Sequence, residues 1–339
     1  MAIVRYTASA DNTITNAFKE DLVTRGTGSN MGASDTIEVF GIYAQESSAS
    51  AELSRALIQF PATGTVSIKA DRDAGTIPAS ASVNFFLKMY NLPHAETLPI
   101  DYKLTVARVT NAWEEGYGLD MDNYTDLTYD ATGSNWVNGN GTHASASATI
   151  KLAGDTNLAS MHGQTFALVD SDGTSQTFTI NYNSNTVTGG TIGFGAPGVD
   201  QNDDAMTAIK SAINNISALD ITASTITAVG DATSEHTLVI KQKTTGYAGN
   251  TSIDLSGVTG LSVSGSTAAF TGGSGKWASV GGDFTTATAN DFVDVTFSDG
   301  DEDIEVDITD IVEGWIKSSN PNANYGLMVK LSSSYETYF

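Results

Sequence analysis

The sequence predicts a mainly β protein: a discontinuous β-sandwich made of residues 1–146 and 274–339, with a small α+β domain, residues 147–273, inserted in one of its loops. Three observations lead there. Short segments of alternating apolar and polar residues recur in both flanking stretches, the one long helical pattern lies between them, and glycine-rich joints bracket the middle. At 339 residues the chain has room for about two domains.

The flanking strands come in order. "TIEVFGIY" (36–43), "RALIQF" (55–60), "SVNFFLKMY" (82–90), "KLTVARV" (103–109), "DVTFSD" (294–299) and "DIEVDI" (303–308) alternate with period two and are rich in β-branched and aromatic residues. Gly, Asn, Asp and Ser clusters between them read as turns, the pattern of a sandwich. Within "DIEVDITDIVEGWI", Ile304, Val306 and Ile308 are expected to face the core and Asp303, Glu305 and Asp307 water. One helical turn should follow, with Asp310 as cap and Glu313 completing a capping box. Ile311, Val312, Trp315 and Ile316 fall at helical spacing and should close one end of the core, ahead of a polar Asn/Pro loop and a last strand.

The middle stretch is poorer in aromatic residues. In "DDAMTAIKSAINNI" the positions Met206, Ile209, Ile213 and Ile216 lie three and four apart, which predicts a helix over 203–216 with Asp203 or Asp204 as its cap. "TFALVDSDGTSQTFTINY" (165–182) reads as a hairpin turning at Asp172-Gly173, and "ITASTITAV" and "TLVIKQ" as further strands. One helix on a small sheet makes an α+β unit. Trp136 with "VNGNGTH", and Trp277 between "GGSGK" and "ASVGGDF", mark joints at which an insertion is tolerated.

Charge and composition restrict function. A formal charge of -23 repels phosphate backbones and excludes sequence-independent nucleic-acid binding. Zero cysteines removes disulfides, thiolate metal sites and thiol nucleophiles together. The opening "MAIVRYTASA" lacks the pattern of a secretory signal, and no apolar run is long enough to span a bilayer. The expectation is a soluble protein made in a cytoplasm, without membrane insertion.

No catalytic, cofactor-binding or metal-ligating residue stands out. The acidic run Asp299, Asp301, Glu302, Asp303, Glu305, Asp307, Asp310 and Glu313 has the hard oxygens that suit Ca2+, yet its spacing is not that of an EF-hand and its alternation favours a solvated sheet face. Asp120, Asp122 and Asp126 form a second compact acidic loop. Glu114 and Glu115 are adjacent, so on a strand they point to opposite faces and do not flank a sugar. His94, His143, His162 and His236 are dispersed, and "GGTIGFGAPG" lacks the Lys-Ser/Thr continuation of a phosphate loop and reads as an exposed, flexible tip. Tyr117, Tyr124, Trp136 and Trp277 are candidates for stacking on sugars, although sandwich tryptophans more often plug the core; Trp315 reads as core. The strand-like "LSSSYETYF" suggests either that Tyr338 and Phe339 bury against a partner or that the natural chain continues.

"ADNTITN", "TGSNMGASDTIEV", "SRALIQF", "VTNAWEEG", "VDITDIVEGWI" and "NPNANYG" together resemble the DNRLRE-type β-sandwich, a jelly-roll-like domain of cell-surface and phage structural proteins. The motifs occur in the family's order across both flanking pieces, with Met31 of "SNMG" where Tyr is common. With "WEEGYGLDMDNYTDLTYDATGSNW" and "GGDF", the arrangement looks most like virion structural proteins of tailed phages infecting marine bacteria. The insertion is similar to small phage tail and fibre modules through "GQTFALVDSDG", "AIKSAIN" and "GYAGNTSI". What the resemblance implies is a non-enzymatic virion structural protein (capsid decoration, collar or neck, or tail) without a cofactor. Its partners would be other virion proteins and further copies of itself, in a particle assembled in the host cytoplasm. The alternative is an adhesion module for host-surface glycan.

Overall fold

The computed structural model describes residues 3–19, 21–44, 50–79, 82–92, 100–119, 133–195, 202–229, 234–317 and 322–337. In chain order the elements are β1 (Ala10–Thr15), β2 (Gly41–Tyr43), β3 (Ala51–Gln59), α1 (Ile68–Asp73), β4 (Phe86–Met89), β5 (Tyr102–Val109), β6 (Ser147–Leu152), β7 (Thr165–Val169) and β8 (Ser175–Asn181). There follow β9 (Thr191–Gly193), α2 (Asn202–Asn214), β10 (Ile221–Val229), β11 (Glu235–Gln242), β12 (Leu261–Val263) and β13 (Phe284–Thr285). The last are β14 (Phe292–Phe297), β15 (Ile304–Asp307), α3 (Thr309–Ile316), β16 (Leu327–Leu331) and α4 (Ser333–Glu336). The protein is mainly β, and its chain divides into two compact units, Met1–Gly141 with Ser279–Phe339, and Thr142–Ala278.

The first unit is built on an antiparallel seven-stranded sheet in the order β1-β3-β16-β5-β13, with β14 also on β5 and β2 also on β3. Strand alternation sends Ala56, Ile58, Leu104, Val106, Leu327 and Val329 to one face. There they meet Leu87 of β4, Ile304 of β15 and Ile311, Val312, Trp315 and Ile316 of α3 in one apolar core. β4 and β15 pair with each other, Ile304 opposite Met89 and Asp307 opposite Phe86, as a small second layer. The Asn/Pro loop reaches the sheet through Gly326, whose φ of +83° and closeness to Ile58 O, 2.2 Å from where a Cβ would sit, admit only glycine. Trp113 Nε1 donates to Tyr325 O at 2.7 Å and fixes the same loop from the other side.

The second unit holds a four-stranded sheet, β10-β11-β6-β12, and a three-stranded one, β7-β8-β9, in place of the one small sheet expected. Its hairpin turns where the sequence predicts: Gly173 has φ +83°, and Asp170 Oδ1 accepts from the amides of Asp172 and Thr174. α2 sends Met206, Ile209 and Ile213 into a core that also takes Phe178, Leu238 and Phe270. Asp203 and Asp204 lie inside its first turn, not before it.

Five expectations require correction. Residues 36–40 are not strand, because the amides of Glu38 and Phe40 donate to the Thr13 and Ser54 hydroxyls rather than to a ladder. No capping box forms at α3: Ile308 is the cap and carries no polar side chain, Asp307 Oδ1 takes the Thr309 amide at 2.8 Å, and Glu313 turns to Arg72. The glycine-rich stretch is not wholly exposed, since Ile192 and Phe194 are buried, while residues 196–200 lie outside the described ones. Ser333–Glu336 is a helical turn rather than a strand end, and Tyr338 and Phe339 lie outside the described residues. The units meet at 141/142 and 278/279 rather than at 146/147 and 273/274, since Ala144 pairs with Ser274 and Ser147 with Thr271 as part of the second unit.

Candidate functional site

A groove runs along α3. It consists of two depressions, of 380 and 740 Å3, that share Asn290 and Asp310. α3 is held in place because its apolar positions Ile311, Val312, Trp315 and Ile316 are all buried, which leaves Asp310, Glu313 and Lys317 on the opposite side. α1, which no sequence pattern announced, supplies Arg72; it starts at Ser67, whose Oγ accepts from Ala70 N at 3.1 Å.

Two ion pairs line the groove. Arg72 grips Glu313 with both terminal nitrogens, Nη1 to Oε2 at 2.8 Å and Nη2 to Oε1 at 2.7 Å, and this contact raises the guanidinium pKa further. Arg108 Nε donates to Asp291 Oδ1 at 2.9 Å, and the Thr288 hydroxyl to Oδ2 at 2.8 Å. Burial pushes the Asp291 carboxyl up, but the Thr288 hydroxyl and Arg108 together outweigh it and hold the group below its usual value. A carboxylate so held stays ionised at neutral pH, so Asp291 is a poor proton donor there. Among the described residues, the side chains of Asn84, Asn290, Asp310 and Lys317 engage no protein partner. The arrangement is therefore a polar surface, locked by its ion pairs, with donors and acceptors left over for a hydroxylated ligand.

Of the candidates named from sequence, Asp307, Asp310 and Glu313 line the groove; the others lie elsewhere and do not come together. Glu302 closes the turn between β14 and β15, accepting from the amides of Ser298, Asp299 and Gly300 at 2.6, 2.9 and 2.7 Å. Asp303 accepts from Asn91 N, and Glu305 meets Lys88 at 2.9 Å. Among the described residues no three His, Asp or Glu side chains group as a cation site. Glu114 and Glu115 accept separately from the amides of Gly141 and Asp11. Trp136 and Trp277 are buried, while Tyr117 is 70% exposed. His143 and His162 lie at the surface and His236 is buried against Ser234 O, so the histidines remain apart. Asp120, Asp122, Tyr124, Asp126 and His94 lie outside the described residues.

The motif residues behind the family resemblance hold loops together. Asn12 Nδ2 donates to Ser134 O and Oγ, and its Oδ1 accepts from Met31 N. Asn30 Oδ1 accepts from Gly118 N at 3.0 Å, and a Cβ on Gly116 would stand 1.9 Å from that oxygen. What sequence reasoning missed is the groove itself, since Arg72, Arg108 and Asp291 come from positions far apart in the chain; only Asp307, Asp310 and Glu313 stood out, as part of the acidic run.

No protein-family model matches the chain, and no curated protein matches it. Among solved structures it is similar to the flagellar cap protein FliD of Escherichia coli. The D2-D3 domains of that protein share 17% identity, over 74% of this chain and 89% of that one, at a TM-score of 0.21. A longer D1-D2-D3 structure gives 15%, over 74% and 49%, at 0.20. At such TM-scores the backbones do not superpose as one fold. No helix among the described residues is long and apolar enough to cross a membrane.

Proposed function

We propose that this chain is a non-enzymatic structural protein of a tailed-phage virion, present in many copies, that docks on other virion proteins through its sandwich and displays the inserted unit on the particle surface. The observation that carries the reading is how the insertion is seated. In the sandwich, Gly281 N donates to Trp136 O at 2.6 Å, so the outgoing and returning chains are already side by side. In the inserted unit Ala144 pairs with Ser274 in the same way. A host whose loop ends stay together accepts a second domain without reorganising its own core, which suits a display scaffold. The family motifs support the same reading, since their Asn, Trp and Gly residues serve architecture. Mass spectrometry of purified particles against host lysate tests it: enrichment in intact virions is expected, and absence from them overturns the proposal.

The unpaired polar side chains of the α3 groove favour a second reading, binding of host-surface glycan. On a glycan array the purified protein would then give signal that Asp310→Ala and Asn290→Ala reduce at least tenfold; signal unchanged by both would remove the groove from consideration.

A further inference from the structure

On the face of the large sheet opposite the α3 core, two cations share one carboxylate. Arg55 of β3 is 9% exposed and Lys330 of β16 is 1%. The register of these strands, Val329 opposite Ala56 and Met328 opposite Leu57, continues to set Lys330 directly across from Arg55. Like charges at directly opposed positions repel, more so in a dry interior. Glu336 of α4 relieves this. Arg55 donates from Nε to Oε1 at 2.9 Å and from Nη2 to Oε2 at 3.0 Å, while Lys330 Nζ stands 2.9 Å from Oε2.

The walls of the pocket suit cations as well. Arg55 Nη1 donates to Gly281 O at 2.6 Å, and its guanidinium carbon lies 4.9 Å from the Trp136 ring centre. Lys330 Nζ lies 5.5 Å from the ring of Phe284 and donates to Leu331 O at 2.6 Å. Burial is the larger influence on the Lys330 ammonium and lowers its pKa against the pull of Glu336. Asp294, held by the Thr105 hydroxyl, adds a weaker pull on Lys330, and Glu336 is the carboxylate that touches both cations.

α4 itself is lightly attached. Ser333, Ser334 and Tyr335 are exposed, and among the described residues the tie from its side chains to the rest of the sandwich besides Glu336 is Tyr335 Oη to Asp101 O at 2.6 Å. The pocket is made by the sheet and by residues 136 and 281–284, not by α4; the turn contributes the carboxylate.

We propose that Arg55 and Lys330 form a carboxylate-binding site whose resident ligand is Glu336, and that α4 is a latch able to leave while the sheet stays folded, opening the site to a carboxylate presented by another polypeptide. The inference rests on the pocket and stands apart from the virion reading. It makes the face under α4 an interaction surface with a stated preference: an acidic side chain or carboxyl terminus, not a phosphate-rich polymer, which the net charge repels.

Full-length Glu336→Ala, probed with sodium formate against sodium chloride at equal ionic strength, provides the test. The sandwich transition of the variant should fall by roughly 5–10 °C. Formate should restore at least half of that loss with saturable dependence, while wild type and the Lys330→Met/Glu336→Ala double variant respond to formate no more than to chloride. A formate response in Glu336→Ala equal to that of wild type overturns the site. The latch is read on unmodified protein by hydrogen exchange, which also serves if Glu336→Ala does not fold. The Glu336 and Thr337 amides, bonded to Ser332 O and Ser333 O, should exchange at least 100-fold faster than those of Met328 and Val329. Equal protection would mean that α4 opens only with the whole sheet and would overturn the proposal.

Discussion

At the centre of the inserted unit lie Phe178, Ile209, Ile213, Leu238 and Phe270, with Asp170, Asn202, His236 and Gln242 its buried polar residues, whereas the sandwich buries Asn12, Asn30, Glu52, Arg55 and Lys330 and many more polar residues beside its own apolar core. The difference follows from chain continuity. The inserted unit is one unbroken segment whose neighbours in space include many neighbours in sequence, and non-directional apolar burial suffices to gather it. The sandwich must bring together two pieces separated by the insertion. Its ties across that gap are directional: Arg72 to Glu313 over 241 positions, the Phe85 amide to Thr309 Oγ1 over 224 and Trp113 to Tyr325 O over 212. Hydrocarbon tolerates a slip of register, while a bidentate pair does not.

The widest separation between the units is expected from truncating a core ring. Phe178 is fully buried and stacks on Phe166 across the β7–β8 ladder, ring centres 5.2 Å apart. Phe178→Ala should destabilise the inserted unit by about 4 kcal/mol. Hydrogen exchange with mass readout should show lost protection in β6–β12 with β3, β5 and β16 unchanged. Equal loss in both would mean that one cooperative unit spans the chain, and the comparison would fail.

A smaller loss, confined to the sandwich, is expected when one of its long-range ties is cut. Arg72→Met keeps the aliphatic stem but strips Glu313, whose side chain is 19% exposed, of its bidentate partner. The expected cost is about 2 kcal/mol, since a charged hydrogen-bonding group is left partly buried and unpaired. Urea melts followed by exchange at α1 and α3 would measure it. A loss below about 0.5 kcal/mol would class the pair with ordinary surface bridges and weaken the claim that polar ties hold the two pieces in register.

These same contacts mark where the sequence is readable. The spacing of Met206, Ile209 and Ile213 announces α2 because a helix writes its buried face locally, and all three are fully buried. The alternation through Ile304 and Ile308 and the spacing of Ile311, Val312, Trp315 and Ile316 announce β15 and α3 for the same reason. The capping box fails because Glu313 has a better partner 241 positions earlier. Residues 36–40 look like strand, but hydroxyls of Thr13 and Ser54 take two of their amides. The groove and the Arg55–Lys330 pocket are invisible in sequence: the groove gathers α1, β5, α3 and residues 288–291, the pocket comes from the pairing of β3 with β16, and no local spacing encodes either.

The mildest test uses acid. In the sandwich, Glu302 is held down to about 2 from 4.5, chiefly by the Asp299 amide, against a smaller opposing effect of burial and with further help from the amides of Ser298 and Gly300. A folded-state value below the unfolded one means that the contribution is complete above pH 4.5 and is lost as pH falls toward 2. Asp21, lowered chiefly by the Thr24 amide, and Asp291 act in the same direction. Asp11, raised by burial and then by Glu115, opposes them. The inserted unit balances Asp254, lowered by the Ser256 hydroxyl, against Asp204, raised by burial. Between pH 5 and 2.5 the sandwich transition should therefore drop more than that of the inserted unit. Glu302→Gln should flatten the sandwich slope alone, because its one amide oxygen still accepts from the Ser298 and Asp299 amides, giving up only the Gly300 contact, and no longer titrates. Parallel slopes in the two units, unchanged by Glu302→Gln, would show that the acid response of the sandwich comes from its general charge rather than from carboxylates fixed at its turns.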